Sequence, residues 1–115
     1  MTEQQTIKTT VRQIVGLLVK GDYKAVEHLS NGCRLKAEEI AESISDYGET
    51  LTMPPDEEFN SLDVVQHTDK YQKGWSVYVD LWTVESGKSD LTLELTLKEN
   101  EKQTYHVEID NIHVL

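Results

Sequence analysis

The sequence predicts an α+β domain in which N-terminal helices pack on a curved, antiparallel, four-stranded C-terminal sheet. Two changes of pattern predict it. Up to Tyr47 the apolar residues recur at helical spacing, and from Leu62 onward they alternate, one inward and one outward. A third observation sets the scale: the 115 residues are 37% apolar with two prolines, enough for one core, and contain no repeat or linker. The chain is read as one domain spanning residues 1–115.

The helices come first. Thr2 followed by Gln5 has the capping-box pattern, and Ile7, Val11, Ile14 and Leu18 then share a face, so a first helix is expected over about residues 3–20. Gly21 suits the residue beyond its end. Asp22 caps a short second helix carrying Tyr23, Val26 and Leu29, which stops at Ser30-Asn31-Gly32. A third helix is expected over about residues 36–47, with Ala37, Ile40, Ala41, Ile44 and Tyr47 as its apolar stripe and Gly48 beyond it. Pro54-Pro55 and Asp56-Glu57-Glu58 read as an extended, exposed loop, because proline enters neither a helix interior nor a central ladder.

The strands follow. Residues 62–67 form a short first strand, and residues 75–84 alternate Trp75, Val77, Val79 and Leu81 against Ser76, Tyr78, Asp80 and Trp82. Ser86-Gly87-Lys88 supplies a hairpin turn. In residues 91–97 Leu91, Leu93, Leu95 and Leu97 face one way and Thr92, Glu94 and Thr96 the other. Asn100-Glu101-Lys102 turns the chain into a last strand with Tyr105, Val107 and Ile109 on one face. The phase then slips, so Ile112 and Val114 return to the core only through a bulge near Asp110-Asn111.

The order of elements, the break Lys20-Gly21-Asp22-Tyr23 and the closing strand Tyr105-His106-Val107-Glu108-Ile109-Asp110-Asn111-Ile112-His113-Val114 resemble small NTF2-like (cystatin-like) proteins. The whole chain is also similar to an uncharacterised bacterial family, a domain of unknown function, most closely over residues 90–97 and 108–115. NTF2-like folds host isomerases, dehydratases, hydrolases, ligand carriers, immunity proteins and dimerisation modules, so the resemblance implies a fold rather than an activity. Enzymes of that kind place an acid/base Asp, His or Tyr inside the cone of helices and sheet. Here the best-patterned core-facing strand positions, Val77, Val79, Leu81, Leu91, Leu93, Leu95 and Leu97, are aliphatic, which points away from an enzyme.

The net charge of −10 is localised. Between Ala37 and Asp69 lie ten acids and no Lys or Arg, while the rest of the chain balances eleven acids with eleven bases. Bare nucleic acid is a poor partner for that field, and none is expected. Glu38, Glu39, Glu42, Asp46 and Glu49 fall on or just beyond the third helix, where they read either as a solvated face or as a docking surface for a basic protein. Tyr78 and Trp82 share the strand face opposite the core, where they read either as a partner or homodimer contact or as aromatics covered by loops, the Pro54-Pro55 segment or the sheet's own curvature.

No catalytic, metal or cofactor site is expected. His106 and Glu108 share a strand face and could form an acid/base cluster with Asp80, but charged residues two apart on a polar strand face are ordinarily its solvated side. The four histidines lack short metal-ligand spacing, and Cys33, beside Arg34, is the single cysteine. That lone thiol suits a reducing compartment. Without a signal peptide or a membrane-spanning apolar run, a cytoplasmic location is expected. The reading is a non-enzymatic cytoplasmic protein-binding domain, in its most concrete form an immunity protein that engages a basic toxin domain. The alternatives are an NTF2-like pocket protein, carrier or enzyme, and a homodimeric scaffold.

Overall fold

A computed structural model describes residues 3–68, 72–99 and 105–114. Its elements are helices α1 (Glu3–Lys20), α2 (Tyr23–Leu29) and α3 (Ala37–Tyr47), then β1 (Leu51–Thr52), a 3-10 helix (Asp56–Asn60), β2 (Asp63–Thr68), β3 (Lys73–Thr83), β4 (Gly87–Glu99) and β5 (Tyr105–Val114). The capping role read for Thr2 and the turn at Asn100-Glu101-Lys102 lie outside the described residues.

Local signals place the helix ends. Asp22 accepts the Ala25 N–H at 3.2 Å, closing the start of α2. Gly48, at φ +82, adopts the left-handed conformation that ends α3, and its N–H bonds back to the Ile44 carbonyl. At the front of α3 the Glu39 carboxylate accepts the Lys36 N–H, and the Glu27 carboxylate accepts the Ala37 N–H.

The sheet is antiparallel in the order β1-β3-β4-β5, and β2 pairs with the same edge of β3 that β1 uses further along. The helices cover one face. Ile7, Val11, Ile14 and Leu18 of α1 with Ile40 and Ile44 of α3 pack on the inward residues of β3, β4 and β5. Leu93, Leu97 and Ile109 are fully buried there.

Two irregularities bend the sheet. Opposite Leu81 of β3, β4 carries Ser89, Asp90 and Leu91, and the Ser89 hydroxyl donates to the Leu81 carbonyl. In β5, Glu94 faces Asn111 and Leu95 faces Ile109, so Asp110 is the inserted residue the phase slip required. Ile112 thereby returns to the core, whereas Val114, in the same phase, emerges at the sheet's end.

The segment at Pro54-Pro55 departs from expectation. Pro54 is buried, residues 56–60 coil into a 3-10 turn rather than extending, and Phe59 is inserted into the core with the Arg12 guanidinium 4.5 Å from its ring centroid. Pro55 keeps extended backbone, φ −58 and ψ 151, and the turn begins only after it, delivering the Phe59 ring to the core. A fifth strand, β1, also appears; two residues are too few to show alternation. No helix among the described residues is long and apolar enough to cross a membrane.

Candidate site on the outer sheet face

Residues 30–35 cross to the free edge of β5 through a tight turn. Asn31, Gly32 and Arg34 all have positive φ, Asn31 and Arg34 although they carry side chains. The turn is held by the Cys33 N–H on the Ser30 carbonyl and by the Leu35 N–H on the Ile109 carbonyl, 2.9 and 3.1 Å long. Arg34 and Ile109 form a parallel bridge. This backbone brings Cys33 and Arg34 to the outward residues of β5.

Those residues are His106 and Glu108, two apart on one strand face. The Glu108 side chain is only 9% exposed, and it meets Lys98 Nζ at 3.0 Å, Arg34 Nε at 3.6 Å and His106 Nε2 at 3.7 Å. Burial alone would push the Glu108 carboxyl up; Lys98, His106 and Arg34 together hold it below its usual value. Asp110, on the bulge, behaves in the opposite way. Burial raises it above the usual carboxylate value, despite the Thr96 hydroxyl at 2.5 Å and Arg34 Nε at 3.5 Å. The Cys33 thiol, the His106 imidazole and the Glu108 carboxylate place one atom each within 4.8 Å of the others. Among the described residues this is the group of three that could hold a metal ion.

Asp80 does not join it. It lies opposite Thr92, toward the other end of the face, and its carboxylate is 3.6 Å from Lys88 Nζ. His113 pairs instead with Glu94. Sequence signalled two of the three residues together, by the His106-x-Glu108 spacing, and singled out Cys33 beside Arg34 without linking it to them; Cys33 reaches them only through the turn and the bridge to β5.

The residues read as a partner surface fall on two sides of the sheet. Glu38, Glu42 and Asp46 are exposed on α3, on the helical side, and no ion pair among the described residues involves them. Glu39 caps α3. Glu49 accepts the hydroxyls of Thr83 and Ser86 at 2.6 and 2.9 Å, tying α3 to the β3–β4 hairpin. Tyr78 and Trp82 are half-buried on the opposite, outer face, Tyr78 between Asp63 and Glu94, Trp82 between Thr52 and Lys88.

Two clefts open beside β2. One, of about 350 Å³, separates the start of α1 from β2 and has Trp75 and Phe59 in its floor, with Glu3, Lys8 and Gln66 among its polar lining. The other, of about 320 Å³, lies on the outer face between the 3-10 turn and Tyr78, Asp80 and Lys88. Between them, all six residues of β2 are exposed.

An α+β domain with one apolar core between helices and sheet and a polar outer sheet face is the class these features define. The chain belongs to the family described as a domain of unknown function (DUF7668), whose profile matches residues 15–115. No curated protein and no solved structure matches it.

Proposed function

We propose that this chain is a non-enzymatic, cytoplasmic binding domain of NTF2-like architecture that engages a basic protein partner, as an immunity protein engages a basic toxin domain. The observation that carries the reading is β2. It is a six-residue edge strand that pairs only with β3 among the described residues, and Val64 and Val65 expose 37% and 52% of their surface. An uncovered edge with apolar side chains on both faces is the template for an added strand, in which main-chain hydrogen bonds supply affinity and the alternate side chains supply selectivity.

Charge chooses the partner. β2 contains Asp63 and no lysine, and Asp56, Glu57 and Glu58 precede it. Self-pairing would bring together two chains of net charge −10, so a basic segment is favoured over a second copy. Glu38, Glu42 and Asp46 then act at a distance, raising the encounter rate without forming the contact. The aliphatic inward positions Val77, Val79, Leu81, Leu91, Leu93, Leu95 and Leu97 support the non-enzymatic reading.

The test compares capture and binding kinetics of a partner from the source cells by wild type, by Val65→Lys, and by a chain with Glu38→Gln, Glu42→Gln and Asp46→Asn. Val65→Lys should keep the wild-type melting curve and lose capture. The triple change should slow association and flatten its salt dependence while leaving dissociation unchanged. Undiminished binding by Val65→Lys would reject β2 as the docking edge.

The cleft between α1 and β2 favours a second reading, an NTF2-like pocket for a small ligand, because polar and apolar groups line it together. Trp75 in its floor reports occupancy. In a Trp82→Phe chain, which leaves Trp75 as the only tryptophan, a saturable shift of emission on adding a small molecule supports the pocket over the edge.

A further inference from the structure

We propose that Cys33, His106 and Glu108 form a binding site for a divalent metal ion of the zinc class. The inference is independent of the partner reading and concerns the opposite edge of the sheet. A borderline ion of this kind takes sulfur, nitrogen and oxygen donors together, and three protein ligands leave a fourth tetrahedral position for water.

The donors are held by backbone. Cys33 is fixed by the turn that bridges Arg34 to Ile109, and His106 and Glu108 project from the same face of β5 at positions paired to Lys98 and Thr96. Their ligand atoms are already within 4.8 Å of one another. A tetrahedral ion with bonds of about 2.0 to 2.3 Å needs its donors somewhat closer, a contraction within reach of three side-chain rotations.

The surroundings suit a cation. Glu108 is nine-tenths buried, and its carboxylate is already compensated by positive groups, with Lys98 nearest. A divalent ion replaces the Lys98 ammonium with a larger charge at the same oxygen. The long lysine stem carries that ammonium toward solvent, where its side chain is already 36% exposed. Arg34 Nε stands between the two carboxylates, 3.5 Å from Asp110 Oδ1 and 3.6 Å from Glu108 Oε1. With Cys33 as thiolate and the Lys98 ammonium turned to solvent, three negative groups stand against the one guanidinium of Arg34, and the divalent ion completes the balance. Binding takes Cys33 as thiolate and His106 as neutral imidazole, so it releases protons to solvent.

The experiment uses the full, reduced chain and cobalt(II) as the probe. Titration should give a saturable one-to-one complex with a thiolate-to-cobalt charge-transfer band and the strong visible absorption of tetrahedral cobalt, both abolished by equimolar zinc. Cys33→Ser should eliminate the charge-transfer band. His106→Ala should weaken zinc binding by at least about tenfold, the loss that even outer-shell partners produce. Both residues are half-buried, so melting of the metal-free variants checks that the fold persists. His67→Ala, on the distant strand β2, should bind as wild type. Absence of the charge-transfer band in the wild type, its persistence in Cys33→Ser, or unchanged affinity in His106→Ala would each overturn the site.

Discussion

The Thr96 hydroxyl donates a 2.5 Å hydrogen bond to Asp110 Oδ2, joining β4 to the residue that β5 inserts between the pairs Glu94–Asn111 and Leu95–Ile109. The bulge corrects the phase of Ile112, and it turns a partly buried carboxylate toward Arg34. Thr96→Val keeps the side-chain shape and removes the donor. Since Asp110 retains some exposure, the expected loss is about 1 to 2 kcal/mol, read from urea unfolding. A change below a few tenths would show that the bulge does not depend on this bond.

Leu93 and Leu95 carry the register of the sheet. Both lie on the inward face of β4, 0% and 1% exposed, against Val79 and Val77 of β3. Replacing either by Ala should cost about 2 to 5 kcal/mol through lost burial and the cavity left behind. A denaturant melt showing less than about 1 kcal/mol for both would contradict the register.

Gly74 is where His67 closes over the sheet. A Cβ on Gly74 would stand 2.8 Å from His67 Cε1 and 3.1 Å from the Leu97 carbonyl oxygen. Gly74→Ala should therefore cost about 1 to 3 kcal/mol by overpacking. The His67→Ala, Gly74→Ala double variant should recover part of that loss, because the ring is the movable neighbour and the carbonyl is not. Equal costs with and without the ring would place the strain entirely at the backbone.

Glu85 gives the acid limb of stability a specific contributor. The Thr50 backbone N–H donates to its carboxylate at 2.8 Å and the Thr50 hydroxyl at 2.9 Å, and these bonds hold its carboxyl below the usual 4.5. A carboxyl whose value is lower in the folded chain than in the unfolded one stabilises the fold fully above the unfolded value, and that contribution disappears as pH falls through the folded value. Glu85→Gln should therefore lose stability at neutral pH and differ less from wild type in acid. Urea melts across that range check it; a difference that stays constant with pH would remove Glu85 from the acid response.

What the sequence determined by itself is what depends on near neighbours. Helices α1, α2 and α3 follow from apolar spacing of three and four residues and from Asp22 and Gly48 at their ends, and β4 follows from four leucines at alternate positions. Even the bulge was legible, because one slipped residue between Ile109 and Ile112 has one geometric remedy. The tertiary structure decided the rest, where residues remote in sequence compete for the same space or charge. Asp56-Glu57-Glu58 coiled into a turn rather than extending, because that turn carries the Phe59 ring into the core beside α1. Glu39 and Glu49, alike in sequence to Glu38 and Glu42, became a helix cap and a hairpin anchor because Lys36, Thr83 and Ser86 offered them donors. Cys33 met His106 and Glu108 because a left-handed turn at Arg34 laid the chain along β5, and no local periodicity encodes a meeting between a turn in the first third of the chain and its last strand.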